Sequence, residues 1–504
     1  MTTLLSEGIR YGQPAPVEMD SHSFREAGYQ LINDITGLMN SIREFPVTTA
    51  PTPGALQLKL PAHFPSAGTD PAELLRETWE LLIHNSLFNG HPSFWGYITS
   101  SPAPMGILGD LMASAINSNC GAFVLSPIAT EIEKQTIRWL GEWIGYPAGG
   151  GIMVSGGNMA NFVGFLAARK AKANWDIRKL GLAPAQGKWR IYTSAETHTW
   201  ISKAADLFGL GLDAIHWIPV DADQRMNMLL LEQRIEEDKK QGLIPLMVAA
   251  TAGSVGTGAI DPLNEIAAVC KKHDCWFHID GAYGGFAAAL PELKNDFRGI
   301  EQADSIAIDP HKWLYSPLEV GCTLVKDKTA LTETFSFHPT YYNFDGTEEP
   351  QTNFYEQGLQ NSRGFRALKV WLTFRHLGAN GHAQLIREDI LLAKKLFELL
   401  HDEEEIEIFS QHLSITTFRY RPKTLDTVDD PEYLNALNQA ILNDLQSGGK
   451  AFPSNAVLNG HFLLRVCIVN FRTKASDIEV LPALVIQTGK RLDMQLRKER
   501  KPSA

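Results

Sequence analysis

The chain is poor in cysteine: Cys120, Cys270, Cys275, Cys322 and Cys467 are the only five in 504 residues. Their number is odd, they are scattered, and no CxxC pair occurs, which argues against a disulfide framework and against a structural zinc site. No metal site is expected. Long apolar runs are missing too, and none approaches the roughly 20 residues that a membrane-spanning helix needs. The first residues, MTTLLSEGIRYGQ, lack the basic stretch and apolar core of a secretory leader. A reducing, cytoplasmic setting without a membrane partner is the resulting expectation. Basic charge is also scarce: 46 Lys and Arg face 57 Asp and Glu, giving a net charge of -11. Such a chain carries no electrostatic footprint for nucleic acid, and its one dense basic run, RKERK at 497–501, reads as a solvated tail.

What is present is the mix of a large globular protein, 44% hydrophobic and 20% charged. The length suggests about three structural units. SFREAGYQLINDITGLMNSIRE (23–44) has apolar residues at helical spacing, and VTTAPTPGALQLKLPAHFPSAGTDP (47–71) reads as a Pro-rich loop. Asp70-Pro71 then opens a second helix, PAELLRETWELLIHNSL, with a cap and a first-turn proline. Two helices joined by an extended segment make a poor domain and should pack on something else. From about residue 104, compact apolar runs alternate with helical segments: GIMVSGG (151–157), WRIYTSA (189–195), IHWIPV (215–220), LMVAATAG (246–253), WFHID (276–280) and SIAID (305–309). This alternation predicts a mainly parallel sheet covered on both faces. NSRGFRALKVWLTFRHLG (361–378) predicts a long helix leaving that domain. SITTFRY, HFLLRVCIVN and a terminal helical stretch then predict a small α+β C-terminal domain. The expected units are 1–103, 104–378 and 379–504.

Gly156-Gly157-Asn158, His198, Asp280 and Lys312 each lie at or just after the end of one of the apolar runs, the edge at which open α/β sheets bind ligands. Alone, each signal is modest. The SGGNMAN turn suits an anion at a helix start, and it is neither a Walker motif nor a GxGxxG turn. Asp280 in FHIDGAYGGFA is a turn former or a buried carboxylate facing a cation, with Ala282 small enough to admit a flat ring. Lys312 in DPHKWLYSPLEVG is a surface charge or a desolvated amine kept nucleophilic for imine chemistry. Together the parts point to one cofactor, pyridoxal 5′-phosphate. It needs a lysine for its aldehyde, a carboxylate opposite its ring nitrogen, a phosphate cradle, and flat groups against its ring. The order is cradle (Gly157, Asn158), His198, Asp280 and Lys312. The last two lie 312 − 280 = 32 residues apart, room for a helix and a strand.

These segments, with HPSFWGYITSSPAP, LSPIATEIEKQTIRWLGEWIGYP, TSAETHTWISKAADLFG and ATAGSVGTGAIDP, resemble the group II pyridoxal-phosphate-dependent amino-acid decarboxylases over nearly the whole length. That family includes aromatic amino-acid, histidine, glutamate and diaminobutyrate decarboxylases. The resemblance implies the fold type I, aspartate-aminotransferase-like α/β architecture, with a seven-stranded sheet and a small α+β domain. It also implies a homodimer with shared active sites, in which residues 1–103 wrap the partner. By the same resemblance, Lys312 would hold the cofactor as an imine, and His311 would lie near the phosphate. Asp280 would pair with the ring nitrogen, His198 would stack over the ring and Ala282 under it. Gly157 and Asn158 would supply phosphate donors, with Thr251 in the strand-end loop beside the site.

The expected reaction is decarboxylation of an L-amino acid, first of all an aromatic one, to its amine and carbon dioxide. Oxidative decarboxylation to an aromatic aldehyde, or decarboxylation of glutamate, diaminobutyrate or histidine, are the alternatives. An aminotransferase, a carbon–carbon lyase or a cofactor-free scaffold fits the motifs less well. Asp309 stands where several relatives carry asparagine near the phosphate, and should point elsewhere or pair with a cation. Relatives also use a loop tyrosine as a proton donor. An ungapped alignment places Phe354 there, whereas a one-residue gap places Tyr355, the reading adopted here. Tyr97, Ile98, Asn119, Gly121 and Phe354 would border the substrate. Asn119 and Gly121 stand where aromatic decarboxylases carry bulky apolar residues, which would either enlarge that pocket for a fused ring or exchange stacking for polar contacts.

Overall fold

The computed structural model describes residues 15, 17–185, 187–337, 351–423 and 430–500. Its main sheet has seven strands: β1 (Gly150–Val154), β2 (Trp189–Ser194), β3 (Ile215–Ile218), β4 (Ile244–Thr251), β5 (Trp276–Asp280), β6 (Ser305–Ile308) and β7 (Gly321–Val325). Their order is β1-β7-β6-β5-β4-β2-β3. β6, β5, β4, β2 and β3 pair in parallel, while β7 lies antiparallel between β6 and β1. The central strands are apolar on both faces because both faces are covered: Ile191, Val248, Ile279 and Ile306 have no exposed surface.

β7 is absent from the sequence reading. GCTLV is short, starts on glycine and follows the lysine turn without an intervening helix, so the strand–helix alternation gives no cue to it. Two boundaries also differ. The 47–71 connector contains a helical turn, Pro53–Gln57, where Thr52 Oγ1 accepts the Ala55 N–H at 3.3 Å. The helix expected from 361 begins at Ala367; it breaks at Gly378 (φ 65°, ψ 173°), a conformation that favours glycine, and resumes to His401.

Beyond that break, β8 (Ile406–His412), β9 (Ile415–Tyr420), β10 (Ser454–Leu458) and β11 (His461–Cys467) form an antiparallel sheet in the order β10-β11-β9-β8. It shares a separate core with the helices Pro431–Ser447 and Leu481–Arg500, through residues such as Phe418, Leu437, Leu464 and Val485. The 91–103 segment ties the two sheets together. The Trp95 N–H donates to Phe452 O, the Cys467 N–H to Trp95 O, and the Ala103 N–H to Tyr315 O.

The helices Ser21–Ser41 and Pro71–Asn85 contain no buried residue. Phe24 and Tyr29 are 69% and 62% exposed, and Phe64 between the helices is 94% exposed. Apolar side chains of this size left in solvent point to a covering surface that the described residues do not supply.

Candidate active site

β1, β4, β5 and β6 all deliver their carboxyl ends to one cavity of about 330 Å³. Pairing within the sheet sets its floor: Thr251 is opposite Asp280, and Asp280 is opposite Ala307. Asp280 therefore sits between β4 and β6 with its carboxylate at the cavity and its Oδ1 accepting the Ala282 N–H at 3.1 Å. Thr251 is fixed from behind, because buried Asp261 accepts the Thr251 N–H at 2.8 Å and the Met226 N–H at 2.7 Å.

The turn after β1 enters the helix Gly157–Ala171 through Gly156, whose backbone (φ 156°, ψ -176°) is restricted to glycine. A Cβ on Gly156 would stand 3.0 Å from His311 Cε1. Among the described residues no side chain caps this helix, and the N–H groups of Gly157 and Asn158, at the cavity wall, have no protein acceptor. Uncapped amides at the positive end of a 15-residue helix suit an anionic group such as a phosphate ester. The helix is held close to the sheet by His278 on β5, whose Nε2 lies 2.7 Å from Asn161 Oδ1 and whose Nδ1 lies 2.8 Å from Ser305 Oγ. Burial pushes His278 down to about 4, so it is a neutral strut. Gly164 permits this approach, since a Cβ there would lie 2.7 Å from the imidazole.

Two further imidazoles flank the cavity. His198 is exposed at the rim, and its Nδ1 accepts the Trp200 N–H at 3.3 Å. His311 accepts the Val320 N–H on Nδ1 at 3.2 Å, which leaves Nε2 to carry the proton. Loss of hydration lowers the pKa of both rings, against the opposing pull of Asp280 on His198 and of Asp309 on His311. Lys312 rises from the short helix Pro310–Trp313, and its Nζ is 3.2 Å from Asp309 Oδ2. Asp309 thus pairs with a cation as expected, yet it does so within the cavity wall and does not point away. Glycines make room for it: Cβ atoms on Gly157 and Gly321 would come within 2.6 and 2.7 Å of its oxygens.

The fold therefore gathers Ile98, Gly157, Asn158, His198, Thr251, Asp280, Ala282, His311 and Lys312 around one space. It does not bring Tyr97, Asn119, Gly121, Phe354 or Tyr355 there within one chain. Tyr97 is 60% exposed at a positive φ of 52°. Gly121 lacks a side chain for a local reason: a Cβ would lie 2.3 Å from Asn361 O. Asn119 is a turn former, its Oδ1 accepting the Gly121 and Arg363 N–H groups. Phe354 and Tyr355 are buried in a short 3-10 helix, with the Tyr355 N–H donating to Gly121 O.

Two arginines that sequence reasoning passed over organise these segments. Buried Arg363 pairs with buried Glu133, donates to Cys120 O and Met153 O, and lies 4.8 Å above the Phe354 ring. Arg465, 2% exposed, donates to Tyr97 O (3.0 Å) and Ser454 Oγ (2.9 Å), while its Nε and Nη2 find no acceptor among the described residues. Its signal was a lone charge inside the apolar run HFLLRVCIVN.

An uncapped helix start, a strand-end carboxylate, a rim imidazole and a lysine on one cavity form the donor set that pyridoxal phosphate requires. Comparison with known proteins agrees. Residues 53–421 match the pyridoxal-dependent decarboxylase conserved domain. An aromatic-L-amino-acid decarboxylase from Bacillus atrophaeus is 33% identical over 470 residues, 92% of this chain and 94% of the relative. A phenylacetaldehyde synthase from a Rosa hybrid cultivar is 29% identical, covering 89% and 90% of the two chains. The crystal structure of Oryza sativa TDC with PLP and tryptamine superposes with a TM-score of 0.88 at 26% identity, covering 95% of this chain and 100% of that one. Sequence, fold and cavity together establish that this chain belongs to the pyridoxal-dependent decarboxylase family and is a pyridoxal-phosphate-dependent amino-acid decarboxylase.

Proposed function

We propose that the enzyme converts an aromatic L-amino acid to its amine and carbon dioxide. The observation that carries this reading is the similarity to an aromatic-L-amino-acid decarboxylase across 92% of the chain. It is supported by a cavity in which the cofactor-binding residues expected from the sequence converge. When bound, the cofactor supplies a cationic ring that takes up the electron pair left by the departing carboxylate. Lys312 would hold it covalently, Asp280 would keep its ring nitrogen protonated by charge pairing, and His198 and Ala282 would pack on its two faces. The Gly157 and Asn158 amides, with the His311 Nε2–H, would bind its phosphate. Thr251 and Ile98 border the remaining space.

Gly157→Ala would place a methyl group 2.6 Å from Asp309 Oδ2. Overpacking of this kind costs about 1–3 kcal/mol of fold stability with or without cofactor, and its relief by a shift of the helix start would misplace the Gly157 and Asn158 amides and raise the cofactor Kd. An absorbance titration of apo-protein with cofactor measures it, and an unchanged Kd would remove Gly157 from the cradle.

The same reading takes the working enzyme to be a homodimer, with residues 1–103 wrapping the partner and 104–378 and 379–504 as the large and small domains. The unburied N-terminal helices support the wrap, and the break at Gly378 supports the second boundary. The dimer would bring Asn119, Gly121, Phe354 and Tyr355 toward the partner's cavity, where Tyr355 could return a proton to the product's α carbon. Five buried, unpaired cysteines support a reducing, cytoplasmic setting. Among the described residues, no helix is long and apolar enough to cross a membrane.

The deciding experiment incubates the holoenzyme with each of twenty amino acids and quantifies carbon dioxide, amine, aldehyde and peroxide. Amine from an aromatic substrate is expected, with loss of activity in Tyr355→Phe. Aldehyde with peroxide would instead establish oxidative decarboxylation and favour Phe354 as the loop residue. Preference for histidine, glutamate or diaminobutyrate would overturn the aromatic assignment.

A further inference from the structure

The residues after Lys312 do not simply pad the core. Trp313 and Tyr315 are buried and converge on one buried carboxylate: Trp313 Nε1 donates to Asp389 Oδ2 at 2.9 Å, and the Tyr315 hydroxyl donates to the same oxygen at 2.7 Å. Asp389 lies beyond the Gly378 break, on the part of the helix that leads to the second sheet, and is 2% exposed. Its Oδ1 receives the Asn470 N–H at 3.4 Å, and Asn470 Nδ2 donates in turn to His91 O. On the cavity side, Trp313 stacks on Tyr283 with ring centroids 4.9 Å apart, and Tyr283 lines the cavity. Tyr315 itself adopts a positive φ of 54°, which a bulky residue holds only when its surroundings compel it.

We propose that Asp389 is a positioning residue for Lys312: by accepting both hydrogen bonds it clamps the turn so that the lysine amine is presented to the cofactor. The clamp joins the lysine turn to the helix beyond Gly378, so the aim of the amine depends on how that helix and the second sheet pack. A single buried carboxylate oxygen that takes both donors from the turn just after one lysine contributes little to stability alone. A buried carboxylate costs more than an apolar side chain of its size unless its geometry is used.

The electrostatic surroundings agree with this role. Burial pushes Asp389 up to about 7, against the Tyr315 and Trp313 hydrogen bonds and the Asn470 N–H, which pull it down; Glu388 on its own helix raises it further. Cys467 on β11 has its pKa raised mainly by burial and further by the Asp389 charge. Among the described residues, no Lys, Arg or His forms an ion pair with Asp389. Because its folded pKa exceeds the unfolded value, its contribution to stability is present at low pH and lost as pH rises through about 7. The two hydrogen bonds strengthen in the opposite direction, since a charged acceptor binds donors more tightly than a neutral one.

The inference rests on Lys312 being the attachment point. Borohydride reduction of wild-type holoenzyme, followed by peptide mass spectrometry, tests that separately: the cofactor mass must appear on the peptide containing Lys312. The clamp is tested in Asp389→Leu and Asp389→Asn holoenzymes by cofactor Kd and by visible circular dichroism of the bound cofactor from pH 6 to 9. Asp389→Leu deletes the acceptor and should raise Kd roughly tenfold or more, with an altered dichroic band. Asp389→Asn keeps one acceptor oxygen without a titrating charge. It should hold Kd within a few-fold and leave the dichroic band close to that of the wild type. Trp313→Phe and Tyr315→Phe keep ring bulk and delete one donor each. They supply the same test if Asp389→Leu does not fold, with each expected to raise Kd several-fold and the pair together more than either. Wild-type Kd and dichroism in a folded Asp389→Leu protein, or in the Trp313→Phe/Tyr315→Phe double variant, would overturn the proposal.

Discussion

Lys312→Ala is expected to lower the rate of carbon dioxide release by at least about 10³-fold, even at saturating cofactor. Among the described residues Lys312 is the only lysine lining the cavity, so no neighbouring amine can substitute for it. Its Nζ is positioned by the turn of Pro310–Trp313 and by the Asp309 carboxylate 3.2 Å away, and alanine removes the reacting atom while leaving the turn's backbone intact. Removal also strands the nearly buried Asp309, which would then lack its cation. Lys312→Met is the control for packing, because it keeps most of the stem without the amine. Both variants should bind cofactor weakly, and neither should become labelled when treated with borohydride. A variant retaining more than a tenth of the wild-type rate would show that another residue performs this task.

Glu133→Gln should lower the stability of the folded chain by about 3–5 kcal/mol, the usual result of breaking a buried ion pair from one side. Glu133 and Arg363 are 0% and 3% exposed. Glu133 accepts from Arg363 through both oxygens and from the Met153 N–H at 3.0 Å; Arg363 also donates to the Cys120 and Met153 carbonyls. Glutamine keeps the shape but leaves a guanidinium uncompensated in the interior. The cost arises from that residual charge, so Glu133→Gln combined with Arg363→Met should recover a large part of the loss. Urea denaturation followed by circular dichroism checks both statements. Equal destabilisation in the single and double variants would place the cost in lost hydrogen bonds, not in the stranded cation.

The strand ends were legible in the sequence because they obey short-range rules. Apolar runs separated by helical spacing identified six of the seven main strands. Gly-rich and acidic punctuation at their ends located Gly157, Asp280 and Lys312, whose functional roles remain the proposal made above. β7 escaped because it is the antiparallel insertion, without a crossover helix to announce it. The reading of Asn119 and Gly121 as pocket residues came from family resemblance. The structure supplies a local cause for each, a turn and a close carbonyl, within the single chain.

Chemical identity was carried by residue type and order along the chain: a Gly-rich turn, a histidine, an aspartate and a lysine at the ends of β1, β2, β5 and β6 suffice to name the cofactor. Parallel strands of similar length place their carboxyl ends on one edge, so order in sequence becomes proximity in space. Partnership across long separations was decided by tertiary packing. That Glu133 faces Arg363, and that Trp313 and Tyr315 share Asp389, depends on contacts between residues up to 230 apart. No local periodicity encodes such a pairing. It is set by which buried charges and donors the packed elements leave to satisfy one another.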